Sequence, residues 1–185
     1  MDFELKTVFR VDEIVLRAFI DDDAQAVFEC AVGNFEHLRA FLHWMSPDYS
    51  IETAREFITT SREAVSERKG LPLGIFRGRD FIGSIGLVRI DWAPRKSEIG
   101  YWVDKANEGK GIVSSACKVL IEYAFGELGL NRIEIRCSAE NVRSAAIPER
   151  LGFKKEGVLR QSEWRSGRLH DYAIYGLLAD EWRVR

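Results

Sequence analysis

The sequence predicts one α+β domain in which a mixed, mostly antiparallel sheet is flanked by helices. Three strand-like runs separated by short turns in the middle of the chain indicate an antiparallel meander. An apolar strand then leads through a glycine turn into a long amphipathic helix and a further strand, which indicates a parallel pair. No repeat, low-complexity segment or linker divides the 185 residues, so we expect a single domain over residues 1–185.

The first part of the chain predicts one strand and two helical regions. An apolar run over residues 14–20 is typical of a strand. The helical pattern of residues 24–42 follows, with a break expected near Gly33. Ser50 is a suitable N-cap for a second helix that ends near residue 68.

The remainder alternates strands with two further helices. The strands are expected at residues 71–76, 81–92, 98–103, 132–137, 152–159 and 171–178. The helices are expected at residues 111–128 and 141–150. The inward stripe of the first of these helices is predicted to be Val113, Ala116, Cys117, Leu120, Ala124 and Leu128.

Composition excludes several classes of protein. A net charge of −2 argues against a general nucleic-acid binder, which would usually be basic. No apolar run reaches the length of a membrane span, and the charged N-terminal segment does not resemble a signal peptide. Three cysteines without CxxC spacing indicate reduced thiols in a cytoplasmic protein. The cysteines and the three histidines lack metal-site spacing, so no metal is expected.

A Gly-x-Gly turn between the strand ending at Val103 and the following helix is the strongest candidate for a binding site. Gly109 and Gly111 let the backbone approach a ligand closely, and the first N–H groups of a helix lack partners within it. This combination suits a phosphate or pyrophosphate. An ordinary tight connection would use the same glycines, so the turn alone leaves both interpretations open.

Five motifs in order make the interpretation more specific: EIGYW, NEGKGI, LGLNRIEIR, PERLGF and KEGVLR. With them the chain resembles the GNAT-type N-acetyltransferases over about residues 10–182, and within these the RimJ/RimL branch of ribosomal-protein N-terminal acetyltransferases. The resemblance implies the GNAT (acyl-CoA N-acyltransferase) fold. One departure is Ala106, where the wider family usually has Arg or Gln three residues before the first glycine of the phosphate loop. Lys110 could supply charge instead, or could be a solvated loop lysine.

The resemblance implies that acetyl-CoA, the cosubstrate, lies in a V between the strand ending near Val103 and the strand ending near Cys137. Its pantetheine arm would pair with the backbone near Trp102, as an added strand does. Its pyrophosphate would lie on the N–H groups of residues 109–113, where charge-assisted bonds each contribute about 1.5–3 kcal/mol. The predicted cofactor-binding residues are Trp102, Val103, Gly109, Lys110, Gly111, Ile112, Val113, Asn141 and Ser144.

Asn141 and Ser144 open the short helix after the fifth predicted strand. Both residue types favour helix starts, so capping alone would account for them. The resemblance implies instead that Asn141 contacts pantetheine and that Ser144 protonates the leaving thiolate. If the helix starts near Asn141, Pro148 lies inside it and cannot bond the carbonyl of Ser144, which would loosen the backbone there.

The reaction requires a neutral amine. At pH 7, neutralising a protein α-amine costs about 1.4 kcal/mol and neutralising a lysine about 4.6 kcal/mol, so an α-amine needs only a modest base. Glu163 matches the position of the proposed base in RimL-like enzymes, and neighbouring Trp164 would raise its pKa toward neutrality. An exposed turn glutamate is the alternative. Glu98 and Glu134 are the other candidate bases.

Three other side chains near the predicted site could take part in the chemistry. Tyr101 is interpreted as core or wall more readily than as an acid, and Cys117 as an inert core residue. Cys137 ends a strand near the expected thioester, but direct transfer without an acetyl-enzyme is predicted. The backbone near Trp102 could also bind the oxyanion.

The acceptor is the least determined part. A protein N-terminal α-amine is the leading hypothesis. A small amine such as a polyamine, amino sugar or antibiotic is the second, and an acetyl-CoA-binding module without activity is the third. The acceptor wall is expected to include His43, Trp44 and Tyr49, and a cationic acceptor would suit an acidic pocket built from Glu36, Asp48, Glu163 and Asp171. RimL-like proteins also suggest a homo-oligomer.

Overall fold

A computed structural model describes residues 3–183, and within them one mixed sheet of eight strands carries the domain. The strands are β1 (Val8–Val11), β2 (Ile14–Arg17), β3 (Leu71–Arg77), β4 (Asp80–Asp91), β5 (Lys96–Val103), β6 (Arg132–Ser138), β7 (Lys154–Arg165) and β8 (Arg168–Leu178). Their order across the sheet is β1-β2-β3-β4-β5-β6-β8-β7. All neighbouring pairs are antiparallel except β5 and β6. The predicted fold class is thereby confirmed.

Six α-helices accompany the sheet in the described range. They are α1 (Ala24–Gly33), α2 (Phe35–Arg39), α3 (Ile51–Ser66), α4 (Ile112–Gly126), α5 (Val142–Arg150) and α6 (Ala179–Arg183). The predicted break near Gly33 separates α1 from α2, and Ser50 caps α3 by accepting a bond from the N–H of Thr53. None of the helices in residues 3–183 has the length and apolar character needed to cross a membrane.

Three features of the sheet differ from the sequence prediction. Strand β1 was not predicted; it is four residues long and joins β2 through a turn in which Asp12 has φ +50°. Strand β2 ends at Arg17 rather than Ile20, because the Arg17 side chain and the Ile20 N–H both bond the carboxylate of Asp23 and turn the chain there. The two closing strands are also longer than predicted and form a hairpin that reaches Arg165 and Arg168.

The parallel strands β5 and β6 separate along their length and form a V. In the described chain their pairing covers Lys96–Glu98 against Arg132–Glu134. Beyond it, β5 continues to Val103 and β6 to Ser138 without bonding each other. The backbone of both arms therefore keeps unpaired hydrogen-bonding groups on the inside of the V, as an exposed strand edge does.

Helix α4 closes one side of the V and anchors the core. Ala116, Cys117, Leu120 and Ala124 are fully buried, so this part of the predicted stripe is confirmed. They join a cluster that includes apolar side chains of β3 to β6 and β8. Burial of large apolar side chains contributes about 1.5–3 kcal/mol each, which holds the N-terminus of α4 against the end of β5.

Candidate active site

A cavity of about 920 Å³ lies at the open end of the V. Its walls come from α2 and the loop after it, the end of β5, the loop before α4, the first turn of α4, and α5. Of the predicted cofactor-binding residues, the cavity brings together Trp102, Val103, Gly109, Gly111, Ile112, Val113, Asn141 and Ser144. Residues more than 40 positions apart in the sequence thus line the same cavity.

The loop before α4 has the geometry of an anion site. Gly109 and Gly111 have φ of +71° and +79°, a left-handed conformation that favours glycine. Gly111 is the N-cap of α4, and the first helical bond runs from the N–H of Ser115 to its carbonyl. The N–H groups that precede Ser115 in the helix have no acceptor within it. They face the cavity end of the helix, where the helix dipole favours negative charge.

A buried amide holds this loop in shape. Asn107 receives a hydrogen bond from Arg77 at 2.8 Å, and its own N–H donates to the Asp104 side chain at 2.8 Å. Lys110 donates to the same Asn107 oxygen at 3.3 Å, and its side chain lines a separate small pocket beside β1 and β2. Lys110 is not among the described residues that line the main cavity. Its side chain would have to turn toward that cavity to make the predicted phosphate contact.

Ser144 and its neighbours form a hydrogen-bonded cluster at one wall of the cavity. Asn141 caps α5 by accepting a bond from the Ser144 N–H at 3.0 Å. The Tyr101 hydroxyl lies 3.1 Å from Ser144 Oγ and 3.2 Å from the Ser144 carbonyl oxygen. Burial raises the pKa of the Cys137 thiol. Burial also raises the pKa of Tyr101 above its usual range, so both side chains stay protonated at neutral pH.

Glu163 lies in β7, not in a turn, and its surroundings differ from the prediction. Trp164 is 66% exposed and, as the next residue in a strand, points to the opposite face. The Glu163 carboxylate instead accepts bonds from the Tyr172 hydroxyl at 2.8 Å and from Arg165 at 2.9 Å. His43 approaches it to 3.4 Å. The expected apolar contact is therefore wrong, and an ionic one replaces it.

Arg165 connects Glu163 to the cavity wall. Its buried guanidinium also donates to the carbonyl oxygen of Phe41 at 3.3 Å, and Phe41 lines the cavity. Glu163 itself is not among the described residues that line the cavity. A proton acceptor at Glu163 would consequently serve a substrate that extends past Phe41 toward the β7–β8 hairpin.

The other two candidate bases lie at the closed end of the V, where β5 and β6 are still paired. Burial raises the pKa of Glu98, which is 3.5 Å from Arg136. The pKa of Glu134 is lowered. Burial acts to raise it, but hydrogen bonds from Arg136 and Arg132 outweigh that effect. Glu134 is therefore a mostly buried carboxylate held by two arginines, and Glu98 is more exposed and less tightly paired.

The expected acceptor wall is partly assembled. Trp44 packs on Tyr49 and on Trp102, with ring centroids 5.7 and 5.9 Å apart. The proposed acidic pocket is not assembled by direct contacts. In the described structure, Glu36 pairs with Arg39 and Asp171 accepts a bond from the Gln161 N–H.

Sequence reasoning missed a charged group that crosses the cavity. Glu108, next to Gly109, contacts His37 of α2 at 3.1 Å and pairs with Arg143 of α5. All three line the cavity, as does Arg150. The positions of Arg143 and Arg150 on the predicted helix after Asn141 could have indicated them as basic side chains near a phosphate site. Within residues 3–183, no group of three or more His, Cys, Asp or Glu side chains is placed to hold a metal ion.

Comparison with known proteins gives a consistent result. A family model described as the Acetyltransferase (GNAT) domain matches residues 13–154. YdaF of Bacillus subtilis (strain 168), provisionally named a ribosomal N-acetyltransferase, is 38% identical over 92% of this chain and 94% of its own. The ribosomal-protein-serine acetyltransferase of Escherichia coli (strain K12) is 28% identical over 95% of this chain and 98% of its own.

A solved structure shares the fold at similar coverage. The microcin C7 self-immunity acetyltransferase MccE, in complex with acetyl-CoA and AMP, is 30% identical with a TM-score of 0.85. The match covers 90% of this chain and 93% of that one. The likeness therefore extends over most of the chain and is not confined to the glycine loop before α4.

Proposed function

The chain belongs to the GNAT acetyltransferase family, and we propose that it moves the acetyl group of acetyl-CoA to the α-amine of a protein N-terminus, with a ribosomal protein as the acceptor. The observation that carries the proposal is the single cavity in which an open strand edge, a left-handed glycine loop and Ser144 meet. The ribosomal acceptor is supported by the names of the relatives from Bacillus subtilis and Escherichia coli.

The residues around the cavity fit acetyl-CoA. The unpaired inner edge of β5 at Trp102 and Val103 offers backbone groups to the amides of pantetheine. The N–H groups between Gly109 and Val113 suit the pyrophosphate. The side-chain amide N–H groups of Asn141 are left for pantetheine, because its cap uses only the oxygen. When bound, acetyl-CoA supplies an acetyl group activated as a thioester.

Two side chains perform the proton transfers in this proposal. Glu163 takes the proton of the acceptor ammonium; it is bonded to Arg165, which also bonds the carbonyl oxygen of Phe41 in the cavity wall. Ser144 gives a hydrogen bond, and then its proton, to the departing sulfur, and it takes back the proton that the acylated nitrogen releases. An α-amine, with pKa about 8, needs little help to lose its proton at neutral pH, whereas a lysine needs about 3 kcal/mol more. An ion-paired carboxylate is a base adequate for the first task.

The proposal is tested by following CoA release across a panel of acceptors. The panel holds peptides with a free N-terminus, the same peptides N-acetylated but with a free lysine, a polyamine and an aminoglycoside. We expect turnover with the free α-amine and not with its blocked partner. Turnover only with the small amines would overturn the substrate class. If no acceptor reacts although acetyl-CoA binds in calorimetry, the α-amine proposal fails and a binding module is favoured.

We predict that Gly111→Ala weakens acetyl-CoA binding about 10- to 100-fold, the loss of one charge-assisted bond to a phosphate. A Cβ at Gly111 would meet no protein atom within 4 Å, so apart from the backbone strain at its positive φ the substitution would crowd only a bound ligand. Calorimetric titration with CoA measures the change in Kd.

Gly129→Ala is the matched control for this variant. Gly129 also has positive φ, +65°, and open space around its Cβ position, but it lies beyond the far end of α4. Both variants pay a similar conformational cost of about 1–2 kcal/mol in stability. Equal Kd values for the two variants would contradict the assignment of the phosphate site.

A further inference from the structure

Pro148 changes the hydrogen bonding of Ser144. Helix α5 runs from Val142 to Arg150, so Pro148 lies inside it, four residues after Ser144. Proline has no N–H, and the Ser144 carbonyl therefore lacks its usual helical donor. The Tyr101 hydroxyl lies 3.2 Å from that carbonyl oxygen and donates to it. A tyrosine of β5 thus replaces the missing backbone donor of α5.

The positions of the protons follow from what each group can do. A phenol has one proton, and a carbonyl oxygen can only accept. With the Tyr101 proton on the Ser144 carbonyl, the 3.1 Å contact between the hydroxyls requires Ser144 Oγ to donate to Tyr101. Tyr101 therefore holds Ser144 by two bonds, one through the backbone and one through the side chain.

These two bonds bridge the arms of the V where the strands no longer pair. Tyr101 belongs to β5, while Ser144 belongs to the helix that follows β6, and direct pairing of β5 and β6 ends at Glu98 and Glu134. A bond between the arms at this level sets the distance from Ser144 to the inner edge of β5. That edge is where the thioester lies under the proposed function, on which the present inference rests.

We propose that Tyr101 and Pro148 are a positioning pair for Ser144. Because Pro148 has no N–H, the carbonyl of Ser144 has no helical donor, and Tyr101 holds the residue in place by donating to that carbonyl. The hydroxyl of Ser144 can then rotate from Tyr101 to the departing sulfur while the residue stays in place. No proton moves between Tyr101 and Ser144 in this step; only the direction in which the Ser144 O–H donates is changed.

The first test measures the pairing without any substrate. Tyr101→Phe, Pro148→Ala and the double variant are compared by urea unfolding. In the Pro148→Ala background the N–H of residue 148 can bond the Ser144 carbonyl, so Tyr101→Phe should lower the unfolding midpoint by about half as much as it does alone, or less. Equal shifts in both backgrounds would overturn the pairing.

The second test measures its effect on turnover. We expect Tyr101→Phe to lower kcat about tenfold, the equivalent of one hydrogen bond, with the KM for acetyl-CoA changed less than about twofold. Pro148→Ala should lower kcat in the native background and have no further effect after Tyr101→Phe. Independent effects of the two substitutions on kcat would contradict the proposal.

Two controls separate this inference from the proposed function. Tyr123→Phe removes another mostly buried hydroxyl, which accepts a bond from the Lys6 N–H far from the cavity, and should affect stability but not kcat. Ser144→Ala tests the underlying assignment. If its kcat is unchanged, the role of Ser144 fails, while the unfolding cycle still reports on the pair. If Tyr101→Phe slows the Ser144→Ala variant further, Tyr101 does not act through Ser144.

Discussion

Glu163→Gln is expected to lower kcat about 10²–10⁴-fold at pH 7, the usual contribution of a positioned general base. The substitution keeps the shape of the side chain and an oxygen for Arg165, and its amide N–H can donate to the Tyr172 hydroxyl oxygen, so the β7–β8 hairpin should stay intact. The loss should shrink as the pH rises past the pKa of the acceptor α-amine, about 8. Above it the amine is already neutral and a base has less to do. A pH profile of kcat/KM from 6.5 to 9.5 measures both effects.

Glu156→Gln is the matched control on the same strand. Glu156 is an exposed carboxylate of β7 paired with Arg132, well away from the lining of the cavity. Its removal should change stability by less than about 1 kcal/mol and leave kcat as it is. A Glu163→Gln deficit that is constant across the pH range would contradict the base assignment and turn attention to Glu98.

Arg165→Met is expected to lower the free energy of unfolding by about 3–5 kcal/mol, because removal of one member of a buried ion pair leaves the other unpaired. The Arg165 side chain is 3% exposed and its partner Glu163 is 13% exposed. The guanidinium also contacts the Phe41 carbonyl and His170 Nδ1, so several groups lose a donor at once. Urea unfolding measures the loss.

Arg168 offers a control directly across the hairpin, since Arg165 and Arg168 are paired in β7 and β8. The Arg168 side chain is 67% exposed and pairs with Glu140 at the surface. Arg168→Met should cost less than about 1 kcal/mol. Adding Glu163→Gln to Arg165→Met should recover part of the loss, because a neutral amide is then buried instead of a charge. No recovery in the double variant would show that packing, not charge, explains the effect.

Most of the site could be predicted from sequence because its parts are local. The glycines at 109 and 111, the N-cap at Asn141 and the proline inside α5 each follow from backbone constraints that involve few neighbouring residues. Family resemblance then indicated that these separate pieces surround one ligand. The parallel pairing of β5 with β6 follows from a helix crossing between two strands.

The closing hairpin could not be predicted as well. Strand β7 is exposed along nearly its whole length, so its sequence KKEGVLRQSEWR shows no apolar alternation that would mark a strand. Its register with β8 also shifts between Leu159 and Glu163. The predicted strand therefore ends at residue 159, short of Glu163.

By itself, the sequence determined the family through its motifs. It also determined the left-handed glycine turn before α4 and the helix that carries Ser144, because short-range backbone chemistry specifies both. Only the tertiary structure decided what surrounds the reactive groups. Glu163 lies beside Arg165 rather than Trp164 because neighbours in a strand point to opposite faces. Tyr101 reaches Ser144 from a strand 43 residues away. Contacts of that kind depend on how the V brings distant elements together, which no local pattern encodes.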